Sequence, residues 1–211
     1  MSIPFSGYKI TQRKGLNHWH ALFEEYLLVV DRYSRVMGGE EAIYFYTERS
    51  CVGALAAAAW RSGSIALEEF QLEKSTKKKP EWLGRADLYI SSKTDDEYIE
   101  AKYKWVSMNP ERSLSEIFDF SLKEALKDAK STKGSDEEST YLGISFFPMY
   151  ISEFRGEDLD SLIEESIEAA KNSSAHAVAW CFPQSMRPFV SANRKNYNPG
   201  VILLVSNLRY I

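Results

Sequence analysis

The chain of 211 residues is 44% hydrophobic and 27% charged, with a formal net charge of −4. Those proportions exclude a disordered or fibrous chain and fit one globular core with embellishments. No apolar run reaches membrane-spanning length and the start MSIPFSGYKITQRKG lacks the basic-then-apolar pattern of a signal peptide, so a cytoplasmic protein with no membrane partner is expected. Asn17 is read as the cap of a helix over residues 17–37, with apolar positions at helical spacing and Gly38 and Gly39 at its end. A second helix over 47–61 starts at Thr47, is alanine-rich and therefore mostly buried, and stops at Ser62 and Gly63. Residues 65–74 read as a strand, followed by a lysine-rich connection over 75–84.

The stretch from 84 to 105, GRADLYISSKTDDEYIEAKYKW, holds two half-apolar strands. Side chains alternate between faces along a strand. Ala86, Leu88 and Ile90 share one face and Arg85, Asp87 and Tyr89 the other; Ile99, Ala101 and Tyr103 oppose Tyr98, Glu100 and Lys102. The short polar SSKTDDE predicts an antiparallel hairpin with Ile90 near Tyr98, which brings Asp87 beside Glu100 on the face of Lys102. After Pro110, residues 114–130 place Leu114, Ile117, Phe118, Leu122, Ala125, Leu126 and Ala129 on one helical stripe. A buried strand over 140–151, an amphipathic helix over 158–171 and two further buried strands over 176–182 and 200–208 complete the order. The sum is a mixed α/β layer fold in one domain. Cys51 and Cys181, far apart in apolar surroundings, predict buried thiols and neither a disulfide nor a zinc knuckle.

This order of elements, with Asp87 in GRADLYI, Glu100 and Lys102 in YIEAK and Glu48 opening TERSCVGALAAAAWRSG, resembles the PD-(D/E)xK nuclease superfamily. The spacing from Glu48 to Trp105 is most similar to archaeal Holliday junction resolvases. The resemblance implies a restriction-endonuclease-like αβββαβ core over about 47–150, an extra N-terminal helix at 17–37 and a C-terminal αββ extension over 151–211. The chain departs from the family name at Ala86, which stands where proline is implied. A competing reading of Asp87, Glu100 and Lys102 is a solvent-facing cross-strand ion pair. For Glu48 it is an acid favoured in a first helical turn by the helix dipole.

Phosphodiester hydrolysis needs an activated water and stabilisation of charge on the phosphoryl oxygens, and magnesium held by oxygen ligands serves both. Asp87 and Glu100 would hold Mg2+, with Mn2+ able to substitute. The resemblance adds the backbone carbonyl of Ala101 as a ligand, gives Lys102 the attacking water, and lets Glu48 reach the metal through water or steady the lysine. It further implies DNA cleavage leaving a 5′ phosphate and a 3′ hydroxyl.

Glu68 and Glu69 must point to different faces of their strand, and Glu69 is the additional candidate acid. His18, His20 and His176 lack triad or metal spacing and read as helix-surface or satisfied core residues. Because the net charge is negative, a grip on DNA must be local. Lys74 and the run Lys77, Lys78 and Lys79 are candidates for phosphate contacts, and Arg194 and Lys195 lie in a loop over 183–198 that mixes cations with Phe189 and Tyr197. The expected function is a magnesium-dependent DNA endonuclease. The alternative is a catalytically inactive nuclease-fold module that binds DNA or a protein, and a homodimer stays open.

Overall fold

The computed structural model describes residues 5–76, 79–132, 139–152, 158–187 and 196–211, without the side chains of 75–76 and 79–81. In chain order the elements are β1 (Ser6–Ile10), α1 (Trp19–Val36), α2 (Glu48–Arg61), β2 (Ile65–Thr76), β3 (Lys79–Ser91), β4 (Asp96–Tyr103), β5 (Val106–Ser107), α3 (Leu114–Thr132), β6 (Thr140–Ser152), α4 (Leu159–Lys171), β7 (Ala177–Cys181) and β8 (Asn196–Asn207). Among the described residues four α-helices flank one mixed open sheet of eight strands in the order β1-β7-β8-β6-β4-β3-β2, with β5 beside β6. β4 and β5 run parallel to β6, and all the other pairs are antiparallel. No helix among the described residues is long and apolar enough to cross a membrane.

Alternation along the strands divides the core between the two faces of the sheet. Leu88, Ile90, Ile99, Ala101, Leu203 and Val205 pack under α1 and α2. Phe147, Met149, Ile202 and Leu204 meet Phe118 and Leu122 of α3 and Ile163 and Ile167 of α4. β6 is buried almost throughout, as a central strand covered on both faces must be. Both cysteines are buried and free.

Several expectations are corrected. The connection over 75–84 is mostly strand, because β2 and β3 continue as paired arms as far as Thr76 and Lys79. Lysines conceal the alternation there, since cross-strand backbone pairing needs no apolar face. β1 was not foreseen: its five residues include Gly7 and Lys9, and the glycine is required by the Trp180 ring, which a Cβ would approach to 2.9 Å. The C-terminal αββ extension joins the sheet of the expected core, with β8 paired to β6 and β7 to β8. Asn17 does not cap α1; the cap position is His18, with no side-chain cap bond, and Trp19 N–H donates to the Leu16 carbonyl. Thr47 does cap α2, accepting from Ser50 N–H.

His18 is drawn to Glu97 instead. Glu97 lies on the apolar face of β4, 1% exposed, where its carboxylate accepts from Trp19 Nε1 at 2.9 and 3.0 Å and meets His18 Nε2 at 2.9 Å. Burial lowers the His18 pKa, but the hydrogen bond and charge of Glu97, with Asp95 beyond, raise it further, to a net value above the ordinary one. The resulting stabilisation is complete below the unfolded-state value of about 6.5 and is lost as pH rises through the higher folded-state value. Denaturation midpoints should therefore fall across that window in the native chain, and His18→Gln should flatten the fall.

Gly143 of β6 stands opposite Glu100 of β4. A Cβ there would come within 2.7 Å of Leu126 N and 2.9 Å of the Ala125 carbonyl carbon, so the backbone of α3 rests directly on this glycine. That contact sets how closely α3 approaches the strand carrying Glu100 and Lys102. Gly143→Ala should cost about 1–3 kcal/mol as the helix is pushed away, measurable by equilibrium denaturation.

Candidate active site

The candidate acids collect where the sheet opens between β3 and β4. The β3–β4 ladder places Tyr89 opposite Tyr98 and Ile90 opposite Glu97, one residue from the expected partner, and its last pair is Leu88 with Ile99. Continued by one step, that register sets Asp87 level with Glu100. On the other side, the β2–β3 register passes from Glu68 opposite Leu88 to Phe70 opposite Ala86, skipping the Glu69–Asp87 position. Glu69 has φ of 55°, a left-handed conformation that is strained for a side chain with a Cβ. Asp87 thus belongs to no ladder pair, and its Oδ2 accepts instead from the Ala101 N–H at 2.7 Å. Because N–H and C=O of one strand residue project to the same edge, the Ala101 carbonyl faces the same opening.

Glu100 and Lys102 are on the face covered by α3, as alternation requires, but each has a partner that the sequence pattern did not reveal. Glu100 Oε1 is 2.6 Å from Lys74 Nζ of β2 and accepts from Thr132 Oγ1 at the end of α3. Lys102 Nζ is 2.5 Å from Asp128 Oδ2, one helical turn earlier. Asp128 and Thr132 are four residues apart and so share a face of α3. Lys74 appeared in the sequence only as part of a basic run. The missing signal was tertiary: which helix covers Glu100, and where the arm of β2 bends.

Glu48 lies in the first turn of α2, and with Arg49, Val52, Glu68, Glu69 and Asp87 it lines a small cleft of about 30 Å³. Burial raises the Glu48 pKa above the usual carboxylate range, and Asp87, Glu100 and Asp128 add to it against Lys102. Asp87 is raised by burial and by Glu69, opposed by the Ala101 N–H, Lys102 and Lys74. Glu100 is raised by burial and by Asp87, opposed by Lys74 and Thr132. Burial pulls Lys102 down, but Asp128, Glu48 and Asp87 outweigh it and leave the lysine above its ordinary value. The structure therefore brings Glu48, Asp87, Glu100 and Lys102 into one electrostatic unit. Glu69 sits at its rim, 3.1 Å from Arg85. Lys77, Lys78, Arg194 and Lys195 lie outside the described residues, as does the side chain of Lys79, which opens β3.

The donor set suits a hard divalent cation. Among the described residues no hydrogen bond ends on Asp87 Oδ1 or Glu100 Oε2, the oxygens that remain after Ala101, Lys74 and Thr132 have taken the others. No group of three or more His, Cys, Asp and Glu side chains among the described residues is gathered to hold a metal ion. Two carboxylates and one carbonyl match magnesium, which keeps several waters and uses one or two carboxylates. Comparison with protein-family models, with curated proteins and with solved structures gives no match for this chain.

Proposed function

We propose that the chain is a metal-dependent DNA endonuclease of the PD-(D/E)xK type, with a restriction-endonuclease-like core formed by α2, β2, β3, β4, α3 and β6. The observation that carries this reading is the release of Asp87 from both neighbouring ladders, so that its carboxylate meets the Ala101 N–H beside Glu100. A structural cross-strand ion pair needs no such break, and here neither acid pairs with Lys102. Asp87 Oδ1, Glu100 Oε2 and the Ala101 carbonyl would hold Mg2+ or Mn2+. A divalent cation bound there supplies positive charge to the phosphoryl oxygens and lowers the pKa of a bound water. Lys102, oriented by Asp128, offers a positioned ammonium to the attacking water and to charge that develops in the transition state. Glu48 would steady that lysine by its charge, one of the causes that hold the Lys102 pKa above its ordinary value.

A second reading also has a specific observation behind it. Glu100 is matched by Lys74, and Lys102 by Asp128, so both residues of the Glu-x-Lys motif already have a partner of opposite charge. That arrangement suits a module that binds DNA or a protein without cutting. Incubation with supercoiled, linear, single-stranded and branched DNA, each with magnesium, manganese or chelator, separates the two. The enzyme reading requires metal-dependent cleavage of at least one substrate; retention of DNA without cleavage under any metal favours the module.

A further inference from the structure

We infer that Lys74 is a positioning residue whose ammonium holds Glu100 through Oε1 and, by its positive charge, opposes a divalent cation on the free Oε2 of the same carboxylate. The inference rests on the metal-dependent reading above and adds to it what governs the loading of the site.

The geometry is specific. Lys74 Nζ lies 2.6 Å from Glu100 Oε1, and the two side chains are 12% and 7% exposed. Thr132 Oγ1 donates to the same oxygen, which fixes the carboxylate from a second direction. The stem of Lys74 reaches inward across Gly84 of β3. A Cβ on Gly84 would stand 2.7 Å from Lys74 Cδ and 2.9 Å from Cγ, so the missing side chain is what leaves room for the lysine to cross. Lys102, the lysine of the Glu-x-Lys motif, is engaged by Asp128 instead. Lys74 is therefore the cation that Glu100 contacts.

A buried carboxylate left without a counter-charge is costly, and Lys74 supplies one to Glu100. An ammonium on a flexible four-carbon stem is also easily exchanged, unlike a bidentate guanidinium. A cation on Oε2 and the ammonium on Oε1 share the charge of one carboxylate and repel each other, so each weakens the other's hold by the same factor. Lys74 then trades stability of the protein in chelator against affinity for the metal.

The test measures binding of Mn2+ alone, by the electron paramagnetic resonance signal of the free ion, together with thermal melts in chelator. The proteins are the native full chain, Lys74→Met, Gly84→Val and Asp87→Asn. Lys74→Met should bind Mn2+ at least about tenfold more tightly while melting lower in chelator, because Glu100 loses its counter-charge. Gly84→Val keeps the ammonium but fills the space its stem crosses, and valine suits a strand; it should shift affinity in the same direction. If Lys74→Met fails to fold, the Gly84→Val affinity decides. Native binding with unchanged or weaker affinity in the variants overturns the role of Lys74 and leaves the nuclease reading standing. Absence of Mn2+ binding in the native chain and every variant overturns both.

Discussion

Glu100→Gln and Lys102→Met are each expected to lower metal-dependent DNA cleavage by roughly 100-fold or more while the protein remains folded. Glutamine keeps the shape of Glu100 and can still accept from Thr132 and Lys74, so the loss is of charge and not of packing. Lys102 and its partner Asp128 are 35% and 43% exposed, which makes their ion pair worth little to stability. A large loss of rate with unaltered melting in Lys102→Met would therefore report transition-state stabilisation. Undiminished cleavage in either variant would remove this site from consideration. Asp128→Asn supplies an internal control: it leaves both motif residues in place and takes away only the group that orients the lysine. Its effect should be smaller, about tenfold, and should fall on kcat more than on KM.

The parts of the site that were legible in the sequence are those fixed by local periodicity. Period-two alternation placed Asp87, Glu100 and Lys102 correctly relative to the apolar faces, because Ala86, Leu88, Ile99 and Ala101 are all in the core. Capping chemistry at Thr47 placed Glu48 in the first turn of α2. Illegible were the contacts made by residues distant in the chain. Lys74 reaches Glu100 only because Gly84 is flat, and Asp128 reaches Lys102 only because Gly143 lets α3 sit against the sheet. Neither glycine announces its partner in sequence. Glu97 is a similar case: an acid on the apolar face of a strand signals a buried partner, but Trp19 and His18 were identifiable only once α1 was packed there. The arms of β2 and β3 were misread because their cross-strand pairing requires no hydrophobic pattern, and periodicity is silent about such segments.

The break in both ladders at Asp87 gives a test that needs no substrate. Asp87→Asn should raise the melting temperature in chelator and reduce the stabilisation that magnesium or manganese gives the native chain. Asparagine can still accept from the Ala101 N–H, so the hydrogen bond that seats the side chain is kept. What disappears is a charge in a site where Glu48, Asp87 and Glu100 all have pKa values above the usual range, burial being the largest cause of each. A carboxyl raised in the folded state binds its proton more tightly there than in the unfolded chain, so stability is lost as pH rises from the unfolded value through the folded one. Ionising these acids therefore comes at the fold's expense, and the neutral amide relieves part of that cost. A relief of about 1 kcal/mol raises the melting temperature by about 2–4 °C in a chain of this length. The same sign predicts that the native chain in chelator gains stability as pH is lowered from neutral towards the carboxylate range, and that the gain is smaller in Asp87→Asn. Metal reverses the order of the two proteins, because a cation that binds only the native state stabilises it in proportion to its affinity, and the amide has given up an anionic ligand. A cross-strand ion pair without metal behaves oppositely: the variant melts slightly lower and neither protein responds to the ion. Paired melts with chelator and with Mn2+ distinguish these outcomes, and a destabilised variant beside a native chain indifferent to metal would sink the nuclease assignment.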